Sequence, residues 1–597
     1  MSLKPLSHFA ASLSLALVCA MAAANASGNA PVHSLAFGPW SEAFAADWVR
    51  LSPERATFSQ YFGAEEQASF DRQLTPHTPA QRERRLALAR KGLKELDAYP
   101  DAKLSSDERV SAAILRWSLQ RTVDSAPFDD HDFLFNQLGG PHLRYIGMLA
   151  ENHPLRRPAD LDTLLARMAL VDERLDQALA TSRAAVARGL LPPRFIVERA
   201  RVQVAHFLAQ DADNNDIVAG VRNRSQRISG LAPEQRDRAI ASTRDMVQQR
   251  LRPAYQRVLA YMDELLPRTT ADAGLWRLPD GDKAYAQALA ENTTTRMSAE
   301  QIHALGLREV ARIEAEMDRV FKTLGSSEGS IKDRLAKLTA ELQPPTEPDP
   351  RPALMAQYTA AVRDAEKRAQ ALFNLQPRAP VEVRRVPALI EHTASAHYTT
   401  PAPDGSRPGV FWMPLPGPNY NLLGMRSLAV HEAVPGHHFQ LALQQEQADL
   451  PRWRQRRIFG GGSAHSEGWA LYAERLAIDH DWYAGDAHAL LGALSAQLFR
   501  ARRLVVDTGL HAKRWTREQA IDYGIPAREV ERYVANPGQA TAYMVGMLHI
   551  LALRDEAQKT LGERFSLKDF HDVVLKTGSV PLDVLSGVVR RWAAARA

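Results

Sequence analysis

Cysteine is almost missing from this 597-residue chain: Cys19 stands alone, inside an N-terminal apolar segment. Disulfide staples are therefore excluded, and any tightly held metal must rest on His, Asp and Glu. Concentrated charge is missing too. The formal net charge is +5, small for this length, and no Lys/Arg tract with interleaved aromatics offers a nucleic-acid surface. Short basic runs such as Arg82 to Arg85 and Arg452 to Arg457 read as solvated helix faces. No internal repeat recurs at a solenoid period and no long low-complexity run occurs. With 45% hydrophobic and 24% charged residues, the composition is that of a folded globular protein.

The first 26 residues read as a secretory signal peptide. Lys4 supplies the charged start, Phe9 to Met21 the apolar run, and Ala24-Asn25-Ala26 the small-residue cleavage site. That run is shorter than the ~20 residues of a spanning helix, so no stable membrane anchor is expected after cleavage. Cys19 follows Leu17-Val18 rather than a small residue, which argues against lipid attachment there. The expected location is exported, periplasmic or secreted.

Most of the rest is helical in pattern. Apolar residues recur at three- and four-residue steps in Ala80 to Asp97, from Ala159 to Arg188, and from Pro233 to Leu266 with a kink or break at Leu251-Arg252-Pro253. Ser105 with Glu108, and Ser298 with Gln301, have capping-box spacing at helix starts. Phe128 to Pro154 loses periodicity and reads as an irregular packed connection. Strand-like alternation is confined to Val381 to Val386, Ala394 to Thr400 and Gly409 to Met413, the last two flanking a turn signal at Pro403-Asp404-Gly405. The expected fold class is mainly α with a small β-sheet next to the metal-site helix. Residues 27–345 form an N-terminal helical part and 346–597 a C-terminal part within one continuous body.

The chemistry lies in His431-Glu-Ala-Val-Pro-Gly-His-His438 and in Ser466-Glu467-Gly-Trp-Ala-Leu-Tyr472. In the common His-Glu-x-x-His motif, two imidazoles at i and i+4 reach one zinc from one helix face while the Glu works on water. Here the second imidazole comes at i+6 or i+7, and neither suits an undisturbed helix. Pro435-Gly436 supplies a way out, because proline removes a backbone hydrogen bond and glycine tolerates unusual dihedrals. A two-residue bulge there brings His437 to the position of the short motif's second histidine, so His431 and His437 are the expected pair, with His438 the alternative. Glu467, placed in the first turn of a second apolar helix, is the expected third ligand. Two His, one Glu and an open position form a catalytic zinc pattern, with cobalt and manganese as the nearest alternatives. Glu474 reads either as an acceptor for a ligand imidazole or as a surface salt bridge.

These segments, together with Arg503 to His511, Asn536 to Tyr543, Tyr398 to Phe411 and a weaker match around Asn136 to Gly140, resemble the bacterial family catalogued as domain of unknown function 885. The similarity covers nearly the whole mature chain. It implies a zincin-like architecture related to angiotensin-converting enzyme, neurolysin and the thermostable carboxypeptidases. The implied activity is that of a zinc peptidase with Glu432 as general base and Tyr543 stabilising the oxyanion. In zincins an edge strand beside the motif helix holds extended peptide by backbone hydrogen bonds. His438, Tyr398, Arg503, Asp507 and His511 are candidates for substrate binding or ligand support; the last three recur at i, i+4 and i+8, and a structural network fits that spacing equally. The expected function is an exported zinc-dependent peptidase acting on peptide substrate. An amidase of a non-peptide substrate and a non-catalytic metal- or substrate-binding scaffold are the alternatives.

Overall fold

Helix follows helix from Phe37 to Ala594, and three short strands interrupt the series just ahead of the histidine motif. The computed structural model describes residues 36–597 except 387–390, 392–393, 403–404 and 406. The expected signal segment with Cys19, and Pro403-Asp404 of the expected turn, lie outside the described residues. Among the described residues no helix is long and apolar enough to cross a membrane.

Local rules set many of the boundaries. Both expected capping boxes form: Ser105 caps the helix Ser106–Ser125 with Glu108 reaching back, and Ser298 does the same with Gln301 for Ala299–Thr323. Each satisfies two backbone N–H groups that have no intrahelical partner. One expectation needs correction. Phe128 to Pro154 is not wholly irregular, because Pro141 opens a helix, Pro141–Gly147, where its missing N–H costs nothing. The kink or break expected at Leu251-Arg252-Pro253 falls on a π turn, Val247–Leu251, that absorbs the misfit before the helix resumes at Arg252–Leu265.

The strands form one sheet in the order β1-β3-β2. β1 (Val381–Arg385) runs parallel to β3 (Gly409–Met413), and β2 (His397–Thr399) pairs antiparallel on the other side, with both Val383 and Tyr398 opposite Phe411. Central β3 is buried on both faces except at Trp412, as a strand covered on two sides must be. Helix Arg351–Ala369 covers it through Tyr358, whose ring meets Phe411 edge-on at 5.9 Å.

One hydrophobic cluster draws residues from Phe37 to Ala593 and so includes both ends of the described chain. The helix Phe37–Arg50 contributes Trp40, Phe44 and Trp48; Phe44 stacks against Phe459, and Trp48 meets the same ring at a tilt. Nearby, Trp453 Nε1 donates to Ser41 Oγ at 3.3 Å and Arg452 N–H to Glu42 at 2.6 Å. The run Arg452 to Arg457 is therefore no solvated face as expected: Trp453 and Arg454 are buried, and the segment is pinned beneath the helix Phe37–Arg50. This contact fixes the chain just ahead of the helix Gly462–Asp479 that carries Glu467.

Candidate metal centre

The first motif helix, Met425–Glu432, ends directly after the His-Glu pair, and a second helix, His437–Glu446, starts on the next histidine. The expected bulge is in fact a complete break. Ala433 N–H still bonds Ala429 C=O in helical fashion at 3.0 Å, but Phe439 N–H reaches back to Ala433 C=O at 3.3 Å, six residues away instead of four. Two residues have been looped out, so His437 stands where an i+4 histidine would. Gly436 permits this, since a Cβ on it would lie 2.0 Å from the His431 carbonyl oxygen and 2.3 Å from that of Val430. The looped-out Pro435 offers its carbonyl to Trp469 Nε1 at 2.8 Å. Trp469 is fully buried two residues beyond Glu467, so one contact holds both the break and the register of the third candidate ligand.

The rings of His431 and His437 lie 4.8 Å apart and nearly perpendicular. Glu467 Oε2 is 3.6 Å from His431 Nε2 and 3.3 Å from His437 Nε2, and the three candidate ligand atoms all fall within 4.8 Å of one another. Tetrahedral zinc with bonds near 2.0–2.1 Å separates its ligand atoms by roughly 3.4 Å, so the donor set fits such an ion in number, type and spacing. Glu467 lies in the second turn of its helix rather than the first, because the helix begins earlier, at Gly462.

Support for the ligands comes from below. Glu474 is 1% exposed and accepts from His431 Nδ1 at 2.8 Å, which excludes the surface salt bridge. Its other oxygen accepts from Ser427 Oγ, and Arg500 approaches at 3.7 Å. This carboxylate directs His431 Nε2 toward Glu467, the arrangement that orients ligand imidazoles generally. Burial alone would lower the His431 pKa, but Glu467 and Glu474 together raise it to about 9. Burial likewise opposes ionisation of Glu467, yet His437 and His431 hold it far below the usual carboxylate range. The two acids thus favour positive charge at His431, charge that an ion can replace.

His438 turns away from this group. Its Nδ1 meets the hydroxyl of Tyr398, on edge strand β2, at 2.9 Å, and burial lowers its pKa to about 4, which keeps the ring neutral. Glu432 is 6% exposed, and its carboxylate has no hydrogen bond or ion pair with a described residue. Tyr543 comes from the helix Ala542–Leu561, its ring parallel to His431 at 6.4 Å. It gets there because the two helices cross at glycines: a Cβ on Gly546 would sit 2.0 Å from the Ala464 carbonyl oxygen. Burial first, and then Glu467, raise the Tyr543 pKa, so the phenol keeps its proton.

The Arg503, Asp507 and His511 face of the helix Ala487–Ala512 divides. Arg503 lies over the Tyr543 ring at 4.6 Å and bonds Glu529 at 3.0 Å. Asp507 and His511 meet none of the three candidate ligands. Asp507 accepts from Tyr285 at 2.6 Å and from Gly538 N–H, holding the loop that leads to Tyr543; His511 spans Leu275 N–H and Tyr533 C=O. Sequence reasoning did not find Ser427, Arg500 or Gly546. Ser427 stands four residues before His431 and could have been read as sharing its face; no local signal marks the other two.

No curated protein matches the sequence. Two solved structures are similar along nearly their whole length. One is described as the "putative lipoprotein from Colwellia psychrerythraea", with 30% identity and a TM-score of 0.85, covering 93% of this chain and 99% of the other. The second is a "putative lipoprotein of unknown function from Shewanella oneidensis", with 21% identity and a TM-score of 0.69, covering 93% and 100%; it speaks to fold alone. The family described as bacterial protein of unknown function (DUF885) matches residues 53–589, and the chain belongs to that family.

Proposed function

We propose that this chain is an exported, metal-dependent peptidase of zincin-like construction, with His431, His437 and Glu467 as metal ligands. The observation that carries the reading is the convergence of two Nε2 atoms and one carboxylate oxygen within 4.8 Å, with Glu474 behind His431. Zinc bound there would supply Lewis acidity and lower the pKa of a water. Glu432 adjoins the first ligand and its carboxylate has no hydrogen bond or ion pair with a described residue, so it accepts the proton of the attacking water and delivers it to the leaving amine as the C–N bond breaks. Tyr543, kept protonated, donates to the oxygen on which charge develops. Tyr398 holds His438 on the side of edge strand β2, where an extended peptide can add by backbone hydrogen bonds.

Export is supported by the N-terminal residue pattern and by the word "lipoprotein" in the description of the 30%-identical structural relative. The decisive experiment is metal analysis of purified protein and of Glu432→Gln, combined with a peptide-library digest. The variant should keep its metal and lose hydrolysis; undiminished hydrolysis would remove Glu432 from the mechanism.

A further inference from the structure

A cavity of about 970 Å³ reaches the helix that carries Glu467. It is lined at one end by Gly462 and Ser466, the residue before Glu467, and along its walls by Arg55, Arg85, Arg121 and Arg457. This is near the upper end of the ~300–1,000 Å³ typical of ligand pockets. Arg55, Arg85 and Arg457 reach solvent, yet enclosing protein lowers the pKa of all three, as expected for cations on the wall of a recess rather than on a convex surface.

The acids of the cavity offset these cations only in part. Glu291 is held by Arg121, and Glu83 lies 3.7 Å from Arg90. Asp129 and Glu291 also favour the charge of Arg85, without an ion pair to it. Arg55 and Arg457, by contrast, have no ion pair or acid hydrogen-bond partner among the described residues. Arg55 donates to the Ile458 carbonyl at 3.3 Å and Arg85 lies over Trp48 at 5.4 Å, so both are positioned while their charge stays available.

Arg457 is the most telling of them. It closes the short helix Arg452–Gln455 in the left-handed region, at φ +50°, where glycine is the low-energy choice. It shares the cavity wall with Ser466, the neighbour of Glu467, and its charge favours ionisation of Tyr398, the partner of His438. A strained arginine without an acid partner on that wall calls for an anionic ligand.

We infer that the cleft is a carboxylate-recognising subsite, in which Arg457 and Arg55, with Arg85 farther along, bind acidic groups of a peptide whose scissile bond lies at His431, His437 and Glu467. This inference rests on the peptidase reading, and the carboxylates concerned are acidic side chains or the peptide's C-terminus. Arginine suits either, because its planar fork matches a carboxylate.

The test is fluorescence-anisotropy binding of labelled hexapeptides to full-length Glu432→Gln protein, with and without Arg55→Ala/Arg457→Ala. Four peptides, acidic or neutral in side chains and free or amidated at the C-terminus, separate the two carboxylate sources. Loss of charge-assisted hydrogen bonds should weaken the preferred anionic peptides about 10-fold or more and leave the neutral amide within about 2-fold. Arg457→Lys should recover part of the loss and serves as a folding control. Equal affinity for all four peptides, no binding by any, or uniform weakening by the arginine changes would overturn the inference. Arginine-dependent binding of acidic peptides together with no hydrolysis of any peptide by the unsubstituted protein would sink the peptidase reading and leave the subsite standing.

Discussion

His431 and His511 are both buried imidazoles on helices, each beside a tyrosine ring, yet they are wired in opposite ways. His431 gives Nδ1 to Glu474 and leaves Nε2 facing a carboxylate and a second imidazole. His511 has both nitrogens on backbone groups, accepting from Leu275 N–H and donating to the Tyr533 carbonyl. The surrounding electrostatics follow the wiring. Two acids overcome burial and raise His431 to about 9, while burial unopposed by a carboxylate lowers His511 to about 4. Burial and residue type alone do not distinguish a candidate ligand from a structural histidine; the free nitrogen does. Glu474 and Asp507 repeat the contrast among acids, one holding a candidate ligand and the other a loop.

The sharpest way to break this comparison is to remove one histidine from each region. His437→Ala should abolish stoichiometric metal binding, measured by elemental analysis after dialysis, whereas His511→Ala should keep the metal. Its cost should appear in the thermal midpoint, because it leaves the Leu275 N–H and Tyr533 C=O unpaired at ~1–3 kcal/mol each. Metal loss in both variants, or in neither, would erase the distinction. A smaller effect separates the acids. Glu474→Gln removes the carboxylate behind His431 and should weaken metal affinity ~10–100-fold in a chelator competition. Equal affinity before and after that change would return Glu474 to a purely structural role.

How much of this was legible beforehand follows from range. Ser105 and Ser298 announce their helices because a cap and its partner are three residues apart, and Gly409 to Met413 announces a strand because alternation is local. Pro435-Gly436 announces the interruption that brings His437 round, although the sequence suggests a bulge where two helices form. The pairing of Glu474 with His431, 43 positions away, has no local sign, and neither does the approach of Arg500 to it. The i, i+4, i+8 spacing of Arg503, Asp507 and His511 correctly places them on one face. Spacing cannot say that Tyr285, Gly538 and Leu275 are waiting to occupy two of the three. The basic run ending at Arg457 misleads for the same reason: its pattern is that of a surface helix, but the helix Phe37–Arg50 lies across it.

Asp507 sharpens the comparison through pH, since a buried acid that holds a loop should tax stability in a definite window. Burial, only partly offset by Tyr285 and Gly538 N–H, raises its pKa from 3.8 to about 7. Between those values the folded state holds a proton that the unfolded chain has released, so stability falls as pH rises. The stabilising contribution of the protonated form is complete below 3.8 and gone once pH passes about 7. One pKa unit corresponds to about 1.4 kcal/mol, so the change across the window amounts to a few kcal/mol. Asp507→Asn keeps acceptors for Tyr285 and Gly538 but cannot ionise. Its thermal midpoint should therefore fall less than that of the unsubstituted protein between pH 5 and pH 8, with metal affinity unchanged at either. Parallel pH profiles would mean that Asp507 is already ionised in the folded protein, and that the loop before Tyr543 is held by charge rather than by a shared proton.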